Sequence, residues 1–331
     1  MTPVFLCLSL NFMSTHHKYI FWAHSPIGYE TYLALRHTGI LTAENSYLIT
    51  ARDCTPPEAN CSIGLPEEYC WMTPAQFELA ARKLISFLKS IDFKNNTYEL
   101  IVPQVANFFI RTLIESPNCK NYIVFDEGRA ARGELSKQRC KELFYKYKIR
   151  SEAPAHKLFQ QIGVGFESMF SLYENGVTFY DIKHKKYAGN ISFFDDTFPG
   201  QNTSILPKIE NSDRAICKDF GLILLPPFHV WLKNKDFQNQ FLNWQNSIHS
   251  IIRLNTEKKW ILKFHPHDTD EIKDNFQKLF NFEEFNKFCD RQNISAHREP
   301  AFMNFDFYIS APNSTILFLK SERNQYIAIA A

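Results

Sequence analysis

From Lys18 onward the chain alternates short, continuous apolar runs with longer stretches of helical period, an order that few architectures accept. Tyr19-Ile20-Phe21-Trp22-Ala23 reads as a strand buried on both faces, and Ser25-Pro26 then opens a helix through 35. Residues 46–50 read as a second strand, and 74–88 as an amphipathic helix with Phe77, Ala81, Leu84, Ile85 and Leu88 on one face. A third strand at 98–102 and a helix over 105–114 precede a fourth strand, Tyr122-Ile123-Val124-Phe125, which runs into Asp126-Glu127-Gly128. Fully buried strands separated by helices belong to parallel sheets with helices on both faces, so the expected class is α/β.

The pattern weakens between 151 and 219, where Gly163, Gly165, Gly176, Gly189, Pro199, Gly200 and Pro207 interrupt it. A chain of 331 residues suits two domains of ordinary size, and the junction is placed in this stretch. The expected domains are 18–200 and 201–331. Residues 1–17 stand apart as a leader, whose apolar run from Val4 to Leu10 is too short to span a bilayer and lacks the basic start of a secretory signal. Alternation resumes with a strand at 220–225, a helix over 237–254 and a strand at 260–264 ending in His265-Pro266. A helical stretch to about 288 comes next, then a strand at 307–310, whose loop Ala311-Pro312-Asn313-Ser314-Thr315 leads into an apolar helix start.

A net charge of +2 lacks the basic excess that binding along a phosphate backbone requires, so no nucleic-acid partner is expected. Eight cysteines are spread along the chain without paired CxxC spacing. Cys54, Cys61 and Cys70 do stand close together, but in a loop-like segment with Pro56, Pro57 and Pro66 and no histidine among them, so no metal is expected there. Free thiols in a reducing compartment are the expectation, which places the protein in the cytoplasm, with peripheral contact at the inner face of the membrane compatible.

In open α/β sheets, ligands sit outside the carboxyl ends of the strands. Three polar clusters fall at such ends: Asp126-Glu127-Gly128, His265-Pro266, and Ser314-Thr315. Either carboxylate of the first could accept a proton, and Gly128 permits a tight turn toward the next helix. His265, Lys263 and the hydroxyls of Ser314 and Thr315 could cradle a phosphate, aided by the amino end of a helix after Thr315. Taken singly, an acidic pair after a strand is also a common turn, and Ser-Thr before a helix a common cap.

In order and spacing, these clusters resemble the acidic-acidic-Gly, His-Pro and Ser/Thr motifs of bacterial sialyltransferases, of the lipooligosaccharide, capsule or O-antigen type (glycosyltransferase family 52-like). The resemblance implies a GT-B fold, two Rossmann-like domains facing across a cleft, with the acceptor and base on the first and the CMP-sugar on the second. It implies transfer of sialic acid from CMP-sialic acid to a glycan or glycolipid acceptor ending in galactose, by inverting displacement, without cofactor or metal. Asp126 would be the general base, with Glu127 orienting it or the acceptor. His265 would contact the CMP phosphate, Pro266 would shape the loop that meets cytidine, and Ser314 and Thr315 would hydrogen-bond the phosphate. Glu299, in Arg298-Glu299-Pro300, stands where related enzymes hold the ribose hydroxyls, and it also reads as a solvated loop carboxylate. Ser25-Pro26-Ile27-Gly28 is similar to the loop that faces the acceptor, but reads more strongly as a Ser-Pro helix start.

Other readings are weaker. His265-Pro266-His267-Asp268 is also an HxH pattern of metal-dependent hydrolase barrels, but too little chain remains beyond it to complete a barrel. Gly163-Val164-Gly165 lacks the third glycine of a dinucleotide fingerprint and reads as a turn. Asp195-Asp196 reads as a loop rather than a metal-binding pair. Two rivals stay open: a GT-B transferase using CMP-Kdo, another nonulosonic acid or a nucleotide diphosphate sugar, and a non-catalytic binder of nucleotides or glycans.

Overall fold

A computed structural model of the chain describes residues 17–51, 61–65, 73–92, 96–127, 137–138, 154–165, 169, 177–208, 217, 219–225, 228, 237–265, 268–280, 282–294, 303, 305, 307–310 and 325–328. The chain divides into two compact units, Met1–Ile209 and Glu210–Ala331. The leader 1–17 lies outside the described residues apart from His17.

The first unit is built on strands β1 (Tyr19–Ala23), β2 (Ser46–Ala51), β3 (Cys61–Leu65), β4 (Tyr98–Val102) and β5 (Cys119–Phe125), with helices α1 (Pro26–His37), α2 (Pro74–Ser90) and α3 (Phe108–Glu115) between them. A two-stranded antiparallel ribbon, β6 (Lys137–Gln138) and β7 (Val177–Thr178), and helix α4 (Pro154–Gln160) separate β5 from β8 (Tyr187–Ser192) and β9 (Thr203–Ile205). The sheet runs β3-β2-β1-β4-β5-β8-β9, and every pairing is parallel. Strand order reverses between β1 and β4, which is the doubly wound pattern whose ligand crevice opens at the carboxyl ends of the two strands flanking the reversal.

Local sequence accounts for these elements. In α2, Thr73 and Gln76 form a capping box that satisfies two backbone donors of the first turn. Its buried stripe, Phe77, Ala80, Ala81, Leu84, Ile85 and Leu88, packs into the same core as Tyr122, Val124, Phe108 and Phe109, and each large side chain there contributes about 1.5–3 kcal/mol. The helix expected over 105–114 begins at Phe108, because the Asn107 side chain accepts from the amides of Phe109 and Ile110 and so sets the start. Lys186 donates to the carbonyls of Ile114 and Ser116 at 2.7 Å each, which satisfies the carboxyl end of α3. Buried Arg111 of α3 joins Glu115 at 2.8 Å and Asp181 at 2.9 Å.

Two expectations change here. The segment read as loop-like around Cys61 forms β3, whose backbone is bonded by Thr50 Oγ1 donating to the Ile63 carbonyl at 3.2 Å. The first sheet also extends beyond the boundary expected at 200/201, because β9 pairs with β8.

The second unit repeats the plan. Strands β10 (Phe220–Leu224), β11 (Lys259–Lys263), β12 (Glu283–Glu284), β13 (Phe307–Ser310) and β14 (Gln325–Ala328) alternate with helices α5 (Phe237–Leu254), α6 (Asp270–Phe280) and α7 (Phe285–Gln292). Their order is β12-β11-β10-β13-β14, again with every pairing parallel and with the reversal between β10 and β13. The single helical stretch expected to about 288 is two helices, interrupted where Glu283 and Glu284 pair beside β11. Gly221 lets β10 accept the indole of Trp260, whose Cζ3 would lie 2.5 Å from a Cβ added there. Among the described residues, Cys119, Cys217 and Cys289 are buried, and burial pushes the Cys119 thiol up to about 12. No helix among the described residues is long and apolar enough to cross a membrane.

Candidate functional site

Asp126 and Glu127 stand at the carboxyl rim of the first sheet, in the two positions where β5 gives way to loop. The Asp126 amide still takes part in the ladder, donating to the Ile191 carbonyl at 3.1 Å, so its backbone is fixed. Its carboxylate accepts from Ser192 Oγ at 3.1 Å, and that oxygen in turn accepts from the Phe194 amide at 3.0 Å. Asp126 is 1% exposed. Burial of a carboxylate requires such donors, and Ser192, the last residue of β8, supplies one.

Glu127 lies where the ladder ends. Its carboxylate accepts from His24 Nε2, and the Glu127 side chain is 24% exposed against 3% for His24. His24 comes directly after β1, and β4 runs between β1 and β5, so this pair bridges the carboxyl end of β4 at the strand-order reversal. His24 also immediately precedes the N-cap of α1, the end of a helix that favours negative charge.

Ser25, Pro26 and Gly28 make the helix start, the stronger of the two readings of this segment. Ser25 caps α1, its Oγ accepting from the Gly28 amide at 3.2 Å, and Pro26 occupies the first turn. Gly28 is pressed against β1 and β5: an added Cβ would lie 3.3 Å from Phe125 Cζ and 3.6 Å from Ala23 Cα. The Phe125 ring is also stacked on Phe21, with centroids 5.2 Å apart. The missing Cβ thus lets α1 settle on the strand that carries the acidic pair.

In the second unit, His265 lies just past β11 at the carboxyl rim, one strand from that sheet's reversal. Its amide donates to Asp268 Oδ2 at 3.3 Å and its carbonyl accepts from the Asp268 amide at 3.0 Å, so a tight reciprocal turn ends the strand. Asp268 is buried, and Thr269 beside it accepts from the Ile272 amide at 3.4 Å to begin α6. Lys263 ends β11 with its ammonium 5.2 Å from the Phe285 ring centroid, a cation–π contact. Gly128, Pro266, Glu299, Ser314 and Thr315 lie outside the described residues, as does His267.

The acidic pair is therefore joined by two residues that strand-end reasoning did not single out, His24 and Ser192, and His265 by Asp268. His24 carries a legible signal, a titratable group between the first strand and a Ser-Pro helix start. Ser192 lies in the stretch that reads as irregular. Asp195 and Asp196 form an exposed turn, and Gly163, at φ +77°, a turn as well. Among the described residues, no group of three or more His, Cys, Asp or Glu side chains is arranged to hold a metal ion.

Chemically, the first rim offers two adjacent carboxylates in contrasting settings, one sealed under a hydroxyl and one reaching solvent from a buried imidazole. No protein-family model matches the chain, and no curated protein matches it.

Proposed function

We propose that the chain is a glycosyltransferase of GT-B architecture that moves sialic acid from CMP-sialic acid to a galactose-terminated glycan of a bacterial surface polysaccharide. The observation that carries this reading is the Asp126-Glu127 pair at the carboxyl rim of a parallel sheet, bridged by His24 to the strand-order reversal. Transfer to a hydroxyl needs a positioned proton acceptor, and a carboxylate of this pair supplies it. Departure of CMP needs donors aimed at a phosphate oxygen, a role that the resemblance to the sialyltransferase motifs gives to His265, Ser314 and Thr315. The reaction is an inverting displacement in which no metal takes part.

The test is incubation of the protein with CMP-sialic acid and lactose, with and without EDTA, monitoring CMP release and sialylated product. Product in both conditions is expected. Product lost in EDTA and restored by manganese would replace the metal-free mechanism. Consumption of CMP-Kdo or a UDP-sugar in place of CMP-sialic acid would change the donor. Binding of CMP without turnover of any donor would make the chain a binder.

A further inference from the structure

We infer that Glu127, held by His24, is the group that takes the acceptor's proton, and that Asp126 is a positioning residue; the inference rests on the glycosyl-transfer reading. The two carboxylates are adjacent in sequence but differ in what they can reach. Asp126 is sealed at 1% exposure, its amide tied to Ile191 and its Oδ2 occupied by Ser192. Ser192 has one hydroxyl proton, and because its oxygen accepts from Phe194, that proton is directed at Asp126. A carboxylate so anchored holds the rim of β5 and β8 together and, at 1% exposure, is closed off from a substrate hydroxyl.

Glu127 combines access with a fixed geometry. Its Oε1 accepts from His24 Nε2, while the side chain still reaches solvent, where a substrate hydroxyl can meet it. An ionised carboxylate only accepts, so Nε2 carries the proton in this pair. His24 is 3% exposed and joins β1 directly to α1, so it does not accompany Glu127 into solvent but holds it. The pair lies over the end of β4, at the reversal where open sheets take their ligands. In the step assigned, Glu127 removes the proton of the acceptor hydroxyl as that oxygen forms its bond to the anomeric carbon. The bond from this carbon to the phosphate oxygen breaks, CMP departs with the electron pair, and Glu127 returns its proton to water after product release.

The experiment is steady-state transfer from CMP-N-acetylneuraminic acid to lactose, over a range of pH, with folding of each variant checked by thermal melting. Glu127→Gln should lower kcat on the order of 10²- to 10⁴-fold with donor KM little changed. His24→Ala should lower kcat and move the acid limb of its pH profile upward, because losing an N–H donor disfavours the ionised carboxylate. His24→Gln, which keeps an N–H at similar reach, should restore part of both. The His24→Ala, Glu127→Gln double variant should be no slower than Glu127→Gln alone. Wild-type kcat in Glu127→Gln, or an unchanged pH profile in a folded His24→Ala, overturns the assignment. A wild-type protein that transfers to no galactoside overturns the glycosyl-transfer reading itself, and the assignment with it.

Discussion

Replacing Ser192 by Ala removes one oxygen atom and adds none, so its effect isolates two hydrogen bonds. The first is donated to the buried Asp126 carboxylate at 3.1 Å, the second accepted from the Phe194 amide at 3.0 Å. A bond to a charged group contributes about 1.5–3 kcal/mol and one between neutral groups about 0.5–1.5 kcal/mol, so the loss should be roughly 2–4 kcal/mol. For a unit of this size, each kcal/mol lowers the melting temperature by about 2–4 °C, which gives a fall of roughly 5–15 °C. Calorimetry on the full chain measures it, with urea unfolding as the independent check. The part that depends on charge is separated by repeating the substitution in an Asp126→Asn background, where the bond to residue 126 is no longer charge-assisted. There Ser192→Ala should cost about 1–1.5 kcal/mol less. Equal costs in the two backgrounds, or a Ser192→Ala melting temperature equal to wild type, would refute the role given to Ser192 as the donor that seals Asp126.

Gly221→Ala should destabilise the second unit by about 1–3 kcal/mol, because the new Cβ would stand 2.5 Å from the Trp260 ring and the indole is itself packed against Phe307. Tryptophan fluorescence and the melting of that unit report it, and an unchanged melt would show that the indole can move aside. Glu115→Gln should lower stability at neutral pH by about 1–2 kcal/mol. Burial raises the Glu115 pKa, but the hydrogen bond with His184 and the Arg111 charge outweigh it and hold the carboxyl below its ordinary 4.5. A depressed folded-state value means this stabilisation is fully present above 4.5 and is lost as pH falls through the folded value, so the wild-type and variant curves should converge below pH 4.5. Curves that stay parallel in acid would refute it.

Most of the two sheets could be read from the chain because their central strands are apolar on both faces. Phe220 to Leu224 and Trp260 to Lys263 have no other use for such runs, and the amphipathic stripe of α5 fixes both of its ends. The elements that escaped are short or at the margins. β8 contains Gly189 and Asn190, poor strand formers that are strand only because β5 and β9 flank them, and β3 and β14 are edge strands. β12 has two residues and no pattern to read. The site divides in the same way. Asp126, Glu127 and His265 were marked by position at strand ends, a local property. Their partners were not: Glu127 meets a histidine 103 positions earlier, and Asp126 a serine 66 positions later. Such pairings exist only once the order of strands in the sheet is known.

The chain leaves the sheet at Glu127 and rejoins it at Tyr187, yet β5 and β8 are immediate neighbours. Everything between them, the ribbon of β6 and β7 and helix α4 included, is an excursion rooted at the acidic pair. The seam is closed beneath it by the β5–β8 ladder, from Tyr122 paired with Tyr187 to Phe125 paired with Ile191. Phe159, Ile162 and Tyr180 of that excursion are buried in the same core as α2 and α3, so a stretch that departs at the acidic pair is anchored by the core that also supports β5.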